Sequence, residues 1–133
     1  MIRRALKIGR WYVEFYFCPD GYDEDELIDR LYDFGAGPDD MRTAIQVIES
    51  GKPNTGLFFP NAVEHLALLA VGPTTGPEEF QDTLVHEIHH LAVAIASELG
   101  IDLEDEGPAY LAGDSARALA DIVCRLGCTR CKC

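Results

Sequence analysis

The sequence predicts an α+β fold, a small three-stranded sheet with helices, in the order β-α-α-β-β-α-α. Short segments rich in aromatic or aliphatic residues indicate the strands, and longer segments with apolar residues at helical spacing indicate the helices. Glycine and proline separate these segments. A chain of 133 residues, 47% of them hydrophobic, can bury a core of its own. We therefore expect one domain over residues 1–126 and a cysteine-rich tail over residues 127–133.

One strand and two helices are predicted for the first part of the chain. Residues 11–18 alternate and are rich in aromatic side chains, which is typical of a strand. Residues 23–34 carry apolar residues at helical spacing behind an acidic first turn, which favours a helix because carboxylates stabilise the positive helix N-terminus. Pro38 begins a second helix, which ends at Gly51.

Two strands and two helices are predicted for the second part. Strands over residues 55–59 and 64–72 are followed by a break that is rich in glycine and proline. A long helix then covers residues 77–99, and an acidic loop covers residues 101–106. Pro108 begins a last helix that reaches about residue 126. If residues 64–72 form an exposed edge strand, an extended substrate can pair with it.

The chain is strongly acidic, with 23 Asp and Glu against 11 Lys and Arg and a formal net charge of −12. Such a chain repels phosphate backbones, so nucleic acid is not an expected partner. The first ten residues contain four basic ones and are expected to form a solvated arm. The sequence shows no secretory signal and no apolar stretch long enough to span a membrane. We therefore expect a cytoplasmic protein with no membrane partner and with reduced cysteines.

The long helix contains the pattern H-E-x-x-H in the run His86-Glu87-Ile88-His89-His90. His86 and His90 are four residues apart, so they share one helical face and lie close enough to bind one metal ion. The apolar stripe of the same helix consists of Leu84, Ile88, Leu91, Ile95 and Leu99. The two histidines fall opposite this stripe, Glu87 lies at its border, and His89 points in a third direction as a bystander.

A strand, a break, an H-E-x-x-H helix, an acidic loop and a second helix with a carboxylate together resemble the minimal core of the zincin metallopeptidases, in the gluzincin branch. The resemblance implies that zinc is bound by the two motif histidines and a downstream glutamate, and that the motif glutamate is the general base. In this chain the motif ligands would be His86 and His90, and Glu87 would be the base.

The downstream ligand implied by this resemblance is Glu106, at or just before the start of the last helix. Glu104 and Asp105 lie close by and compete for the role. Asp114 is then expected to orient a motif histidine without binding the metal. Both residues also have interpretations without a metal: Glu106 as part of an acidic helix N-terminus, and Asp114 as the partner of Arg117 in an ion pair.

The expected function is therefore that of a zinc metallopeptidase that acts on a peptide or protein substrate. Residues 84–114 also resemble small proteins encoded by bacteriophages and prophages. That second resemblance implies an alternative: a phage structural or host-interaction protein that keeps a zinc-stabilised, zincin-like fold without hydrolytic activity. It also implies residence in the host cytoplasm or the virion, and association with a phage particle or with further copies of the chain.

Four other features are expected to be structural. His65 is expected to be a hydrogen-bonded histidine of the fold, Tyr110 a packed aromatic more than an oxyanion donor, and Cys18 a core residue. The tail has the spacing C-x3-C-x2-C-x-C, formed by Cys124, Cys128, Cys131 and Cys133. It lacks the long spacer of a structural zinc site, so we expect a mobile thiol tail or one completed by another chain.

Overall fold

A mixed four-stranded sheet lies at the centre of the molecule. The computed structural model describes residues 1–127. Its strands are β1 (Ile2–Ile8), β2 (Trp11–Phe17), β3 (Gly56–Asn61) and β4 (Leu66–Val71). They lie in the order β1-β2-β4-β3. The inner strands β2 and β4 are parallel, and each outer strand runs antiparallel to its neighbour, so β1 and β3 form the two edges.

Helices cover both faces of this sheet. On one face lie α1 (Glu24–Asp33) and α2 (Pro38–Ser50). On the other face lie α3 (Pro77–Glu98), α4 (Gly107–Ala118) and α5 (Ala120–Gly127). The α+β class and the first three predicted helices are confirmed, with ends that differ from the prediction by a single residue.

The side chains of β2 alternate between two cores, one on each face of the sheet. Phe15 and Phe17 pack on the α3 side, whereas Tyr16 packs beneath Leu27 of α1. Every residue of β4 after Leu66 is buried. Cover on both faces explains why β4 is a continuous apolar run without the polar alternation of a half-exposed strand.

The prediction of three strands is wrong, because the supposed basic arm forms β1. Ile2, Leu6 and Ile8 pack against the core on the α3 side. Arg4 lies on that same apolar side and donates to both carboxylate oxygens of Asp121 on α5, at 3.2 and 2.8 Å. The two residues are 117 positions apart, so no local pattern indicates that this arginine has a partner within the fold.

Some predicted boundaries also move. The strand expected from residue 64 begins at Leu66, because His65 has a φ of 55°, outside the extended region. The last helix is two helices that break at Leu119, whose side chain is fully buried. Leu99 was expected in the apolar stripe but is 50% exposed, since α3 ends at Glu98.

The long helix α3 is fixed to the sheet along its length and at its C-terminal end. Pro77 occupies its first turn, where a missing N–H costs nothing. The buried stripe is confirmed for Leu84, Ile88, Leu91 and Ile95. At the far end, Glu98 accepts hydrogen bonds from Arg10 at 2.9 Å and from His65 at 2.8 Å. Within residues 1–127, no helix has both the length and the apolarity to cross a bilayer.

Candidate metal centre

His86 and His90 form a close pair on the exposed surface of α3. Their Nε2 atoms are 3.1 Å apart. The ring centroids are 4.7 Å apart, and the rings meet edge to face at 84°. His89 makes only a looser contact with His90, with centroids 6.4 Å apart. The structure therefore brings together the two histidines that the spacing selected and directs the same ring nitrogen of each toward the other.

Phe58 of β3 covers one face of His90. The two rings are nearly parallel, at 15°, with centroids 6.0 Å apart. Desolvation, and then the proximity of His86 and His89, lowers the pKa of His90. The lowered pKa favours the neutral ring, which is the form that has a lone pair for a metal ion.

Glu87 points toward the sheet and is only 6% exposed. Burial raises the pKa of this carboxyl, and the neighbouring His86 opposes the rise. The carboxyl group packs directly against Gly56, the first residue of β3. A Cβ atom at position 56 would lie 2.6 Å from Glu87 Oε1, so glycine is required there for the carboxyl group to keep its place.

Two recesses meet at Glu87 and Gly56, which line both of them. The first has a volume of about 340 Å³, lies between α2 and β3, and reaches His90. The second has a volume of about 360 Å³, lies beside the N-terminal half of α3, and reaches His86. Each recess therefore combines one histidine of the pair with the same carboxyl group.

The two downstream carboxylates have other partners. Glu106 is the N-cap of α4 and accepts a hydrogen bond from Tyr110 at 3.0 Å. Asp114 lies 3.9 Å from Arg117, and both side chains are largely exposed. Over residues 1–127, no three His, Cys, Asp or Glu side chains gather into a group that could hold a metal ion. The structure thus joins His86 to His90 but does not add Glu106 or Asp114 to them.

The other residues that were expected to be structural differ in how deeply they are buried. His65 is hydrogen-bonded to Glu98, as expected for a structural histidine. Cys18 is buried in the core, and desolvation raises the pKa of its thiol to about 11. Tyr110 is 67% exposed, so the expectation of a packed aromatic is wrong. Of the cysteine tail, only Cys124 falls within the described residues, on α5; the predictions for the other three cysteines lie outside them.

The sheet edge beside the histidine pair is β3. The strand predicted over residues 64–72 corresponds to β4, which is an inner strand, so the condition for substrate pairing with that strand is not met. Gly72 N donates to Thr55 O at 3.0 Å, just before β3 begins. Because hydrogen-bonded pairs alternate along an antiparallel ladder, the backbone groups of Gly56, Phe58 and Pro60 point away from β4.

Some residues of the site could not be selected from the sequence. Phe58 reaches His90 and Gly56 reaches Glu87 only through sheet topology, and Asp40 lines the first recess only because α2 lies beside β3. Asp82 could have been identified from the sequence, because it precedes His86 by one helical turn. In the structure it lines the second recess. No protein-family model, curated protein or solved structure matches this chain.

Proposed function

We propose that this protein binds zinc through His86 and His90 and hydrolyses peptide bonds with Glu87 as the general base. The observation that carries the proposal is the 3.1 Å separation of the two Nε2 atoms. Two nitrogens bound to one tetrahedral zinc at about 2.0–2.1 Å would lie roughly 3.3 Å apart. The pair therefore needs only a small adjustment to bind a single ion.

Zinc held by this pair would polarise a peptide carbonyl and lower the pKa of a water molecule. Glu87 removes the proton from the attacking water and delivers it to the leaving amine nitrogen. Its position suits this role, since its carboxyl group borders the recess of His86 and the recess of His90. Packing against Gly56 holds the group in place before a substrate arrives.

The open edge of β3 offers a binding place for an extended peptide. Gly56 and Phe58 present an outward N–H and C=O, and Pro60, which has no N–H, presents only its carbonyl. A peptide that adds to this edge as a further strand gains backbone hydrogen bonds next to Glu87 and His90.

A second candidate is a zinc-stabilised scaffold without hydrolytic activity. The hydrogen bond from Tyr110 to Glu106 favours it, because it gives the expected third ligand a structural role at the start of α4. In that case the protein acts through its surfaces, and association with a phage particle remains an expectation from the sequence resemblance.

Zinc titration by calorimetry tests the metal site. The background variant carries serine at all four tail cysteines, Cys124, Cys128, Cys131 and Cys133, so that tail thiols do not contribute. Loss of a residue that only orients a ligand weakens metal binding by about 10–100-fold. Because His86 and His90 would bind zinc directly, we expect His86→Ala and His90→Ala each to weaken zinc binding by more than about 100-fold. The matched control is His89→Ala, which should bind zinc normally. Equal affinity in all three variants would rule out this site.

Hydrolysis of a peptide library by the zinc-loaded protein separates the two candidates. An enzyme that uses Glu87 should lose activity by about 10²–10⁴-fold in Glu87→Gln, which keeps the shape of the side chain but removes its basicity. Zinc binding without measurable hydrolysis by the wild type, or hydrolysis unchanged in Glu87→Gln, would contradict the peptidase and leave the scaffold.

A further inference from the structure

The two recesses that share Gly56 and Glu87 form a groove beside β3. Each recess also contains an aspartate. Asp82 lines the recess that contains His86 and lies one turn before it on α3, about 6 Å along the helix axis. Asp40, near the start of α2, lines the recess that contains His90. Glu87 lines both recesses, so each recess contains two carboxyl groups.

No lysine or arginine balances these acids among the described lining residues of either recess. The sequence of α3 contains neither residue. The one basic residue of α2, Arg42, pairs with Asp39 at 2.8 Å and so does not neutralise Asp40. The whole chain has a formal charge of −12, which attracts cations and repels anions over a longer range.

We infer that the substrate of this groove is a cationic polypeptide segment, extended along β3, with lysine or arginine side chains that contact Asp82 and Asp40. The inference rests on the proposed function and adds the substrate class. Backbone pairing with β3 sets the direction of the segment but is indifferent to its sequence. The carboxylates at the two ends supply selectivity, because a bound acidic segment would bring like charges together.

Fluorescence anisotropy with three labelled nine-residue peptides tests the inference. The peptides are identical except at the third and seventh positions, which hold lysine, norleucine or glutamate. The protein is the wild type freed of zinc with chelator, so neither metal binding nor zinc-dependent cleavage affects the measurement. We expect the lysine peptide to bind at least about tenfold more tightly than the glutamate peptide, with an affinity that falls as salt is added.

Variants of the groove identify the carboxylates responsible. Asp40→Asn and Asp82→Asn should each weaken binding of the lysine peptide about threefold, as expected for exposed ion pairs. Asp29→Asn on α1 makes the same change in net charge outside the groove and should have no effect. Replacing both Asp40 and Asp82 by lysine should reverse the preference toward the glutamate peptide.

Two results would overturn the inference: a lysine peptide that binds no more tightly than the norleucine peptide, or an Asp29→Asn variant that loses as much affinity as the groove variants. Its failure is distinct from failure of the peptidase. Zinc binding and hydrolysis without a preference for lysine would remove only the substrate class, whereas lysine preference without hydrolysis would remove only the enzymatic step.

Discussion

Glu14 is a fully buried carboxylate held by charged and hydroxyl donors from three elements. Arg30 of α1 donates to both oxygens, at 3.1 and 3.0 Å. Tyr12 and Tyr16 donate at 2.9 Å each, and Arg3 of β1 completes the group. Burial alone would raise the pKa of Glu14, but these hydrogen bonds lower it overall. Burial, and then the hydrogen bond to Glu14, raises the pKa of Tyr16 to about 12, whereas Arg3 and Arg30 oppose the rise.

Glu14→Gln should reduce the free energy of unfolding by about 2 kcal/mol. This is less than the roughly 3–5 kcal/mol for a fully buried pair, because both arginines are partly exposed. The folded-state pKa lies below the unfolded value of about 4.3, so the stabilisation is present above that pH and is lost as the pH falls through the folded value. Urea unfolding at several pH values should therefore show a constant gap between wild type and variant from pH 7 to 5.

Below about pH 4 that gap should narrow. The exposed Glu64→Gln serves as the control and should change stability by less than about 0.5 kcal/mol. A gap that stays constant between pH 5 and pH 3 would contradict the role assigned to the ionised Glu14.

The sequence reveals residues of the candidate site when they share one helix, and it conceals those that arrive from elsewhere. The spacing of His86 and His90 fixes their common face because the helical repeat is regular. Phe58 and Gly56 come from an edge strand whose position depends on how the sheet is ordered. Nothing within a few residues of either one points to a histidine, so only the fold could place them.

At the scale of elements, the orientation of α3 decides which side chains face the sheet. Leu91 is fully buried, whereas Val85 on the same helix is 64% exposed. Leu91→Ala should lower the free energy of unfolding by about 2–5 kcal/mol, the usual range for a leucine truncated in a core.

Val85→Ala is the matched control for this prediction and should change stability by less than about 0.5 kcal/mol. Chemical denaturation of the two variants measures the difference directly. Equal losses at the two positions would mean that the helix is rotated from the orientation described here.

Elements with uniform apolar spacing are predictable, and β1 shows why others are not. Its basic residues are typical of a solvated segment, yet lysine and arginine also suit an edge strand because they discourage pairing with other chains. Only contacts between β1 and residues far away in the sequence distinguish an edge strand from a solvated segment. Arg4 is held by Asp121 and Arg3 by Glu14, and both partners become visible only once the chain has folded.

At the scale of the whole molecule, the net charge of −12 opposes the compact state by self-repulsion. Raising NaCl from about 10 mM to 150 mM shortens the Debye length from roughly 30 Å to 8 Å and should raise the melting temperature by a few degrees. Loss of surface ion pairs acts in the other direction, but each contributes only about 0–1 kcal/mol.

Scanning calorimetry at neutral pH measures this salt effect. The control is the same titration near pH 4.5, close to the isoelectric point of the chain, where the gain should disappear. A melting temperature that falls with added salt at neutral pH would show that the surface ion pairs outweigh the repulsion.

The parallel pairing of β2 with β4 has a consequence for the order of folding. The hairpin of β1 and β2 joins neighbours in the chain, as does the hairpin of β3 and β4. By contrast, paired positions in β2 and β4 are separated by roughly 50 residues. The pairing of these two strands therefore carries the largest loss of chain entropy in the sheet. Both hairpins can therefore form before β2 pairs with β4. Because α3 carries the histidine pair while β3 supplies Gly56 and Phe58, the candidate metal centre is complete only after the second hairpin is docked.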